Sequence, residues 1–480
     1  MNYRRKNTKI VATISDLRCE KDFIESLYAH GMDVVRLNTA HQDTEGTKKI
    51  IENVRAVSHK IAILLDTKGP EMRTTHIEEP IAVKKDDLVA ISGDVSYQKP
   101  NTIYINYAQF HNDVPIGTEI LINDGELSFL VEQKEEQALL CRVRESGTVK
   151  NKKTVNVPGV HINLPSISKK DEDFIQFAIE QNLDFIAHSF VRNKKDVLAV
   201  KNILEQKQSP IKVIAKIENR EGFENIDEIL DIADGIMIAR GDLGVEVFAS
   251  EVPVMQKKMI IACMKRAKPV IVATQMLESM IQNARATRAE VSDVANAILD
   301  GAGAVMLSGE TVYGDYPVEA VRTMAEISQH LAKFHRKTNP AGVEPDIHNP
   351  KMFLAKAAVD AALSLDIDAI VVPSFNGQTA RIISAMRSRK PVFAPCYNES
   401  VMRQLSLNHG VRAFKMTEFQ STEEMIFGCV DHLVQKKAIE LNHTIVIVSG
   451  TASSIPHTCN FLEIATVKDI LTEYKSHQRS

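Results

Sequence analysis

A lysine and two carboxylates stand at the ends of two short apolar runs near the middle of the chain. Lys216 and Glu218 close the run VIAKIE, and Asp242 follows the next run, GIMIA. Because side chains alternate along a β-strand, Lys216 and Glu218 point to one side, and a parallel neighbouring strand would bring Asp242 beside them. Mg²⁺ takes one or two protein carboxylates and leaves positions for substrate oxygens. The pattern predicts a metal site, with a loop ion pair as the alternative for Lys216 and Glu218 alone.

Further polar residues follow other apolar runs, and their chemistry suits phosphate. The chain has no GxxxxGK[ST] and no GxGxxG, so lysine, arginine and a metal would have to hold any phosphate. Phosphoryl transfer requires mainly positioning and positive charge around the moving group. These residues therefore predict a phosphoryl-transfer site. The candidates are Arg36, Asp66, Lys68, Arg73, Ser189, Arg192 and Thr274.

Three of these positions have plain structural alternatives. Arg36 could form a surface ion pair, Ser189 could be structural, and Thr274 could be only a helix N-cap. In the functional interpretation, Gly241 lets the backbone approach a ligand, and a helix starting near Asp242 offers free N–H groups to a carboxylate. Thr274 would then bind the same anion or pass a proton.

Eight apolar runs, each flanked by a helical stretch, predict the elements that position these residues. Since charged residues follow the runs at the same end, we expect a (β/α)₈ TIM barrel with its chemistry at the carboxyl ends of the strands. An open doubly wound sheet is the competing topology. The runs are Thr8–Ile14, Val34–Leu37, Ile61–Leu65, Phe185–His188, Val213–Ile217, Gly235–Ala239, Val270–Ala273 and Ala304–Leu307.

The barrel pattern is interrupted once and followed by a further unit. Short runs with a period of two, and turns such as that at 123–125, predict an inserted all-β domain. After a linker at 333–351, strands and helices alternate again. We expect a barrel domain at 1–72 and 165–338, a β-barrel lid domain at 73–164, and a C-terminal α/β domain, possibly for an effector, at 350–480.

Composition excludes several classes of protein. The 480 residues are 44% hydrophobic and carry a formal charge of −4, which argues against general binding of nucleic acid or membrane surfaces. The six cysteines show no CxxC and no zinc spacing, which is typical of reduced residues in a cytoplasmic protein. We expect no signal peptide and no membrane span.

Nine motifs in this order resemble the pyruvate kinase family over most of residues 8–317. That family has a barrel with an inserted β lid and a C-terminal α/β domain, in agreement with the interpretation above. The motifs are TKIVATI (8–14), GMDVVRLN (31–38), LDTKGPEMR (65–73), KKTVNVPG (152–159), DFIAHSFVR (184–192), IAKIEN (214–219), DGIMIARGDLGVE (234–246), PVIVATQMLESM (269–280) and TRAEVSDVANAILDGAGAVMLSGET (287–311).

The resemblance implies transfer of the phosphoryl group of phosphoenolpyruvate to ADP, giving pyruvate and ATP in the last step of glycolysis. Glu218 and Asp242 would hold Mg²⁺ or Mn²⁺, and Lys216 would lie against the transferring group. Arg36 would grip the phosphate. Thr274 would bind the carboxylate and help a proton reach the enolpyruvate carbon. The substrate-binding set would be Arg36, Lys216, Gly241, Asp242 and Thr274.

The resemblance also implies a second cation and a nucleotide site. K⁺ would be held by Asn38, Asp66 and Thr67, and Glu71 in GPEMR resembles the potassium-dependent branch of the family. The residues near the nucleotide would be Asn38, His41, Arg73 and Lys153. A homotetramer is implied as well.

The chain departs from the family pattern at several positions. Ala40 replaces a serine whose hydroxyl reaches potassium, so we expect weaker K⁺ binding, and Thr154 replaces a glycine after the paired lysines. The effector loops are altered at 374–379 and 450–460, where Ser454 and His457 replace glycines; activation by fructose 1,6-bisphosphate, by another effector or by none all stay open.

Two other classes of protein are alternatives to a kinase. A Mg²⁺-dependent barrel enzyme acting on a carbon bond of enolpyruvate would not need LDTKGPEMR or the lid lysine. A catalytically silent binding protein of this fold is expected to have lost Lys216 or a metal carboxylate, and this chain retains both.

Overall fold

The computed structural model describes residues 3, 6–40, 42–334, 349–417, 419, 421–450 and 459–477, with side chains described as far as 473. The chain contributes barrel strands in two groups. The first group is β1 (Lys9–Thr13), β2 (Val34–Asn38) and β3 (Ala62–Asp66).

Nine short strands follow and form two sheets of their own. Their core is separate from that of the barrel, and the turn at 123–125 has positive φ at all three residues, as the sequence predicts for a tight hairpin. The strands are β4 (Thr74–Thr75), β5 (Ile81–Val83), β6 (Leu88–Ser92), β7 (Ile103–Ile105), β8 (Glu119–Ile122), β9 (Leu127–Lys134), β10 (Leu139–Val143), β11 (Gly147–Val149) and β12 (Val155–Asn156).

The second group of strands completes the barrel. All eight strands are parallel and close in the order β1-β2-β3-β13-β14-β15-β16-β17, so β3 pairs with β13 across the inserted segment. The (β/α)₈ prediction is confirmed, and the open doubly wound sheet is excluded. The strands of this group are β13 (Phe185–His188), β14 (Lys212–Ile217), β15 (Gly235–Ala239), β16 (Val270–Ala273) and β17 (Ala304–Leu307).

The C-terminal domain has a five-stranded sheet in the order β20-β19-β18-β21-β22, with hydrophobic clusters on both faces. It also closes the amino-terminal end of the barrel, because Leu407 lies in the cluster that fills the barrel interior. The strands are β18 (Ala369–Val371), β19 (Val392–Cys396), β20 (Val411–Lys415), β21 (Thr444–Ser449) and β22 (Phe461–Thr466).

Seventeen α-helices are found among the described residues, and no helix there is long and apolar enough to cross a membrane. They are α1 (Lys21–Ala29), α2 (Thr44–Val57), α3 (Phe110–Asp113), α4 (Lys169–Glu180), α5 (Lys194–Gln206), α6 (Arg220–Glu224), α7 (Ile226–Ile232), α8 (Arg240–Glu246), α9 (Val252–Lys265), α10 (Arg288–Asp300), α11 (Gly309–Val312), α12 (Pro317–Lys333), α13 (Pro350–Ser364), α14 (Gln378–Ala385), α15 (Glu399–Gln404), α16 (Thr422–Gln435) and α17 (Val467–His477).

Candidate active site

The alternation of side chains along each strand decides which residues face the mouth of the barrel. On β14, Ile214 belongs to the barrel interior, whereas Val213 and Ala215 pack against the helices outside. Lys216 and Glu218 continue the interior series, so both emerge at the carboxyl end of the barrel. The same alternation on the other strands brings Thr13, Arg36, Asn38, Asp66 and Ser189 to this mouth.

Asp66 is the centre of the resulting polar network. Asp66 Oδ2 accepts from Arg36 Nε at 2.6 Å, and Asp66 Oδ1 lies 3.1 Å from Lys216 Nζ. Lys216 Nζ also lies 2.9 Å from Glu218 Oε1 and donates to Ser189 Oγ at 2.7 Å. Asp66 and Glu218 are each 1% exposed. The structure therefore links two buried carboxylates and two cations, from the ends of β2, β3 and β14, through a chain of close contacts.

The charges of these groups follow from their surroundings. Burial alone would lower the pKa of Lys216, but the carboxylates of Asp66 and Glu218 outweigh burial and hold the pKa above its ordinary value. Burial opposes ionisation of Asp66, yet Lys216 and Arg36 hold its pKa below the usual range. Burial raises the pKa of Glu218 despite Lys216, and the charge of Asp242 adds to this rise. The positive charge around Glu218 therefore does not fully offset the effects of burial and of Asp242 on its carboxylate.

That deficit is consistent with a divalent cation as an additional partner. Exposed Asp242, at the start of α8, lines the same cavity as Glu218. Among the described residues there is no group of three or more His, Cys, Asp or Glu side chains that could hold a metal ion. Two carboxylates nevertheless fit Mg²⁺, which commonly takes its remaining ligands from water and substrate.

Thr274 has a strained backbone, with φ +65°, directly after β16. A β-branched residue in this region is an outlier that costs about 1–3 kcal/mol. Two contacts hold it: Gly241 N donates to Thr274 Oγ1 at 2.8 Å, and Arg240 Nη2 donates to Thr274 O at 2.7 Å. The expectation of free N–H groups near Asp242 is therefore wrong for Gly241, whose N–H is bonded to Thr274. Thr274 is not the N-cap of a helix.

The residues expected to hold K⁺ lie at the ends of β2 and β3. Asn38 is paired with Asp66 in the strand register, and Thr67 follows directly. Asn38 Oδ1 accepts from the N–H of Ala40 at 3.1 Å, and Thr67 O accepts from Ser189 Oγ at 2.7 Å. The set offers amide, carboxylate and carbonyl oxygens, which are the ligand types suited to a monovalent cation.

The described residues that are expected to lie near the nucleotide are spread over the barrel and the insert. Arg73 lies where β3 leads into the insert, and its guanidinium contacts Glu71 Oε2 and Lys152 O, each at 2.7 Å. The backbone of Lys153, on the insert, is bonded to Thr74. His41 lies outside the described residues.

A cavity of about 460 Å³ lies between the barrel mouth and the insert, and Glu218 and Asp242 line it. Contacts across the cavity were not anticipated from the sequence. Arg192 donates to the carbonyl of Ile162 at 2.7 Å, and Asn156 Nδ2 donates to Glu246 Oε1 at 3.1 Å. No local pattern marks these pairs, because each joins residues brought together only when the insert packs on the barrel.

Two departures from the family pattern can be located. Thr154 Oγ1 donates to Asp124 Oδ1 at 2.7 Å, so the residue that replaces a glycine fastens the hairpin turn of the insert. The first effector loop, 374–379, leads into α14, with Gly377 at φ +76°. Residues 451–458 of the second loop, with Ser454 and His457, lie outside the described residues.

Comparisons with known proteins agree with this architecture. The family model "Pyruvate kinase, barrel domain" matches residues 5–321, and "Pyruvate kinase, alpha/beta domain" matches residues 353–465. The pyruvate kinase of Borreliella burgdorferi is 46% identical over 97% of this chain and 98% of its own length. That of Geobacillus stearothermophilus is 42% identical over 98% of this chain and 82% of its own length.

A solved structure shows the same fold. The pyruvate kinase of Cryptosporidium parvum superposes with a TM-score of 0.92 at 35% identity, covering 97% of each chain. The chain belongs to the pyruvate kinase family, and it is a phosphotransferase that transfers the phosphoryl group of phosphoenolpyruvate to ADP.

Proposed function

We propose that phosphoryl transfer takes place at the mouth of the barrel, around Lys216. The observation that carries this proposal is the buried network in which Lys216 Nζ lies between Asp66 and Glu218, at 3.1 and 2.9 Å. Two carboxylates fix the position of the ammonium group and keep it charged. A fixed cation beside Glu218, which lines the cavity, stabilises the negative charge that develops on the transferring group and on the enolate.

Glu218 and Asp242 are the proposed ligands of Mg²⁺ or Mn²⁺. When bound, the ion would supply positive charge that offsets the negative charge of the substrate. Phe190 N donates to Glu218 Oε2 at 2.7 Å, which leaves the carboxylate oriented by one backbone group and one lysine. Ligands held by such additional hydrogen bonds lose little freedom when a metal binds.

Arg36 and Thr274 complete the substrate site in this proposal. Arg36 is held by Asp66 and by Thr13 Oγ1, to which Arg36 Nη1 donates at 3.0 Å, so the guanidinium is positioned before the phosphate arrives. Thr274 binds the substrate carboxylate and passes a proton towards the enolpyruvate carbon, and Gly241 positions Thr274 through the bond from its N–H to Thr274 Oγ1. The nucleotide phosphates are assigned to Asn38, His41, Arg73 and Lys153.

Thr274 provides a test of the proton step. We expect Thr274→Val to lower kcat by roughly 10²-fold, because general acid–base groups contribute at least this much, and Thr274→Ser to stay close to the wild type. Exchange of the methyl hydrogens of pyruvate with D₂O, followed by NMR, measures proton transfer separately from phosphoryl transfer. Unchanged exchange in the valine variant would remove Thr274 from this step.

K⁺ is the second proposed cofactor, held by Asn38, Asp66 and Thr67. ATP formation from phosphoenolpyruvate and ADP with Mg²⁺ should rise with KCl at constant ionic strength. Ala40→Ser should lower the KCl concentration for half-maximal turnover by about fivefold, since one net hydrogen-bond-type contact contributes about 1 kcal/mol. Ala29→Ser, on the exposed end of α1, is the matched control.

Each outcome of that titration has a distinct meaning. Turnover that does not change with KCl would agree with the kinase activity and would rule out the proposed K⁺ site. No turnover under any salt condition contradicts the assignment of catalysis to this mouth.

We also propose that the chain forms a homotetramer and works in the cytoplasm. Apolar side chains at and beside α9 are exposed in the single chain, namely Phe248 at 78%, Val254 at 55% and Ile261 at 37%. Exposed apolar side chains of this kind suit burial between copies. The six cysteines are all free and buried, which suits a reducing compartment. Sedimentation of the purified protein tests the assembly.

A further inference from the structure

A second cavity, of about 340 Å³, lies where the C-terminal domain packs against the amino-terminal end of the barrel. On the barrel side it is lined by Lys212, the first residue of β14, and by the segment that joins α9 to β16. On the other side it is lined by Arg381 of α14 and by Gln404 and Asn408. The strands separate this cavity from the proposed catalytic residues, which lie at the opposite end of the barrel.

The lining of this cavity has an excess of positive charge. Among the described residues it contains five cationic side chains and one carboxylate, that of Asp234. One of the cations, Arg266, is paired outside the lining with Asp227 and Asp231 at 3.0 and 3.4 Å. Asp234 is already shared, because Lys201 Nζ lies 3.1 Å and Lys212 Nζ 3.6 Å from its oxygens. The cations are Lys212, Lys265, Arg266, Lys268 and Arg381.

The two most enclosed cations lack a carboxylate partner. Lys268 Nζ donates to the carbonyls of Leu230 and Ala233. Arg381 is half-buried, and its guanidinium makes no hydrogen bond or ion pair with any residue that the structure describes. Burial lowers the pKa of both side chains, and Asp234 offsets this only in part. Arginine stays charged in proteins, so Arg381 is a positive charge without a counterion among the described residues.

Arg403, a nearby arginine in the same domain interface, has the carboxylate partner that a buried arginine normally has. Arg403 is 7% exposed, and its Nε donates to Asp184 Oδ1 at 2.6 Å. Buried charges are normally paired in this way, because an unpaired charge loses its hydration without compensation. Arg381 therefore differs from Arg403 in lacking a partner within the described chain.

The unpaired polar groups continue into a smaller cavity next to the first. Lys268, Arg381 and Asn408 border both cavities. In the smaller one, Arg387 Nη2 donates to the carbonyl of Gly301. Arg387 Nε and Nη1 and Asn408 Oδ1 are buried and have no hydrogen-bond partner in the part of the chain that the structure describes. This inner space of about 10 Å³ has room for roughly one water molecule. Only the larger cavity can accept an organic ligand.

We propose that the larger cavity binds a small phosphate monoester, with the phosphate against Arg381 and Lys268. A dianion fits better than a monocarboxylate, since more than one positive charge lacks a counterion. Arginine also presents its N–H groups in a fork that matches phosphate oxygens. The remaining volume accommodates a short polar body next to Gln404 and Asn408. Because the ligand touches both domains, it holds the C-terminal domain to the barrel.

Calorimetric titration with glycerol 3-phosphate tests this site, with glycerol as the neutral control. We expect the wild type to bind glycerol 3-phosphate, and Arg381→Gln to bind it at least ten times more weakly. Lys212→Gln removes a cation on the barrel side of the cavity and should weaken binding severalfold. Asp234 keeps its ion pair with Lys201 in this variant. The matched control is Arg389→Gln, which removes an exposed arginine eight residues after Arg381 and should bind like the wild type.

The two variants together distinguish this cavity from other phosphate sites. Phosphate bound at the catalytic mouth or at the effector loops of the C-terminal domain would not respond to Lys212→Gln. Circular dichroism verifies folding, and Lys212→Gln alone carries the test if Arg381→Gln does not fold. Absence of binding, or equal affinity in all four proteins, would overturn the proposal.

Discussion

Lys216→Met is expected to lower kcat by at least roughly 10²–10³-fold, the loss seen when a positioned group that stabilises developing charge is removed. Methionine replaces most of the lysine stem, so the change removes mainly the ammonium group. The variant should still fold, because Asp66 keeps its bond to Arg36 and Glu218 keeps its bond to the N–H of Phe190. The KM for phosphoenolpyruvate should change much less than kcat, since the charge on the transferring group grows in the transition state.

Steady-state kinetics with phosphoenolpyruvate and ADP measure this effect, and Lys207→Met is the matched control. Lys207 lies at the exposed end of α5, just before the strand that carries Lys216, and none of the described residues forms an ion pair with it. The control should have wild-type kcat. A Lys216→Met protein that retains more than a tenth of the wild-type kcat would show that the ammonium group is not needed for transfer.

The fold could be predicted largely because the barrel strands have a simple sequence signature. In β1, β3 and β15 every residue is buried, and each strand has a run of at least three consecutive apolar residues at its centre. Two strands of the C-terminal sheet, β20 and β22, lack such a buried run. They lie at the two edges of that sheet and carry exposed or half-buried residues in place of a buried run. Edge strands need no continuous apolar sequence, and the sequence pattern is correspondingly weak.

The sequence predicts only those contacts of the candidate site that depend on the local geometry of one strand. The period of two places Lys216 and Glu218 on one side of β14, and the structure has them 2.9 Å apart. The contact of Lys216 with Asp66 depends on the closed barrel, because β13 lies between their strands. The link between Asn156 and Glu246 depends on how the insert packs on the barrel. Such long-range contacts cannot be predicted from the spacing of residues along the chain.

Glu218→Gln is expected to weaken the binding of the divalent cation by at least about 10²-fold, because a neutral amide replaces one of two proposed carboxylate ligands. The amide is nearly the same shape and can still accept from the N–H of Phe190, so the change is mainly one of charge. The metal-free variant should be at least as stable as the wild type near pH 8. Burial raises the pKa of Glu218, which means that ionising it costs folding free energy above its ordinary pKa, and the amide removes that cost.

Binding of Mn²⁺ to the free enzyme, followed by electron paramagnetic resonance, measures the metal site without relying on turnover. Glu228→Gln is the control, since Glu228 forms a partly exposed pair with Lys194 on the outside of the barrel and such pairs contribute about 0–1 kcal/mol. We expect the Mn²⁺ affinity of the control to match the wild type. If Glu218→Gln also matched it, the ion would have to be held without Glu218. If the metal-free variant unfolded at a clearly lower temperature than the wild type at pH 8, Glu218 would instead be required to hold Lys216 and the end of β14 in place.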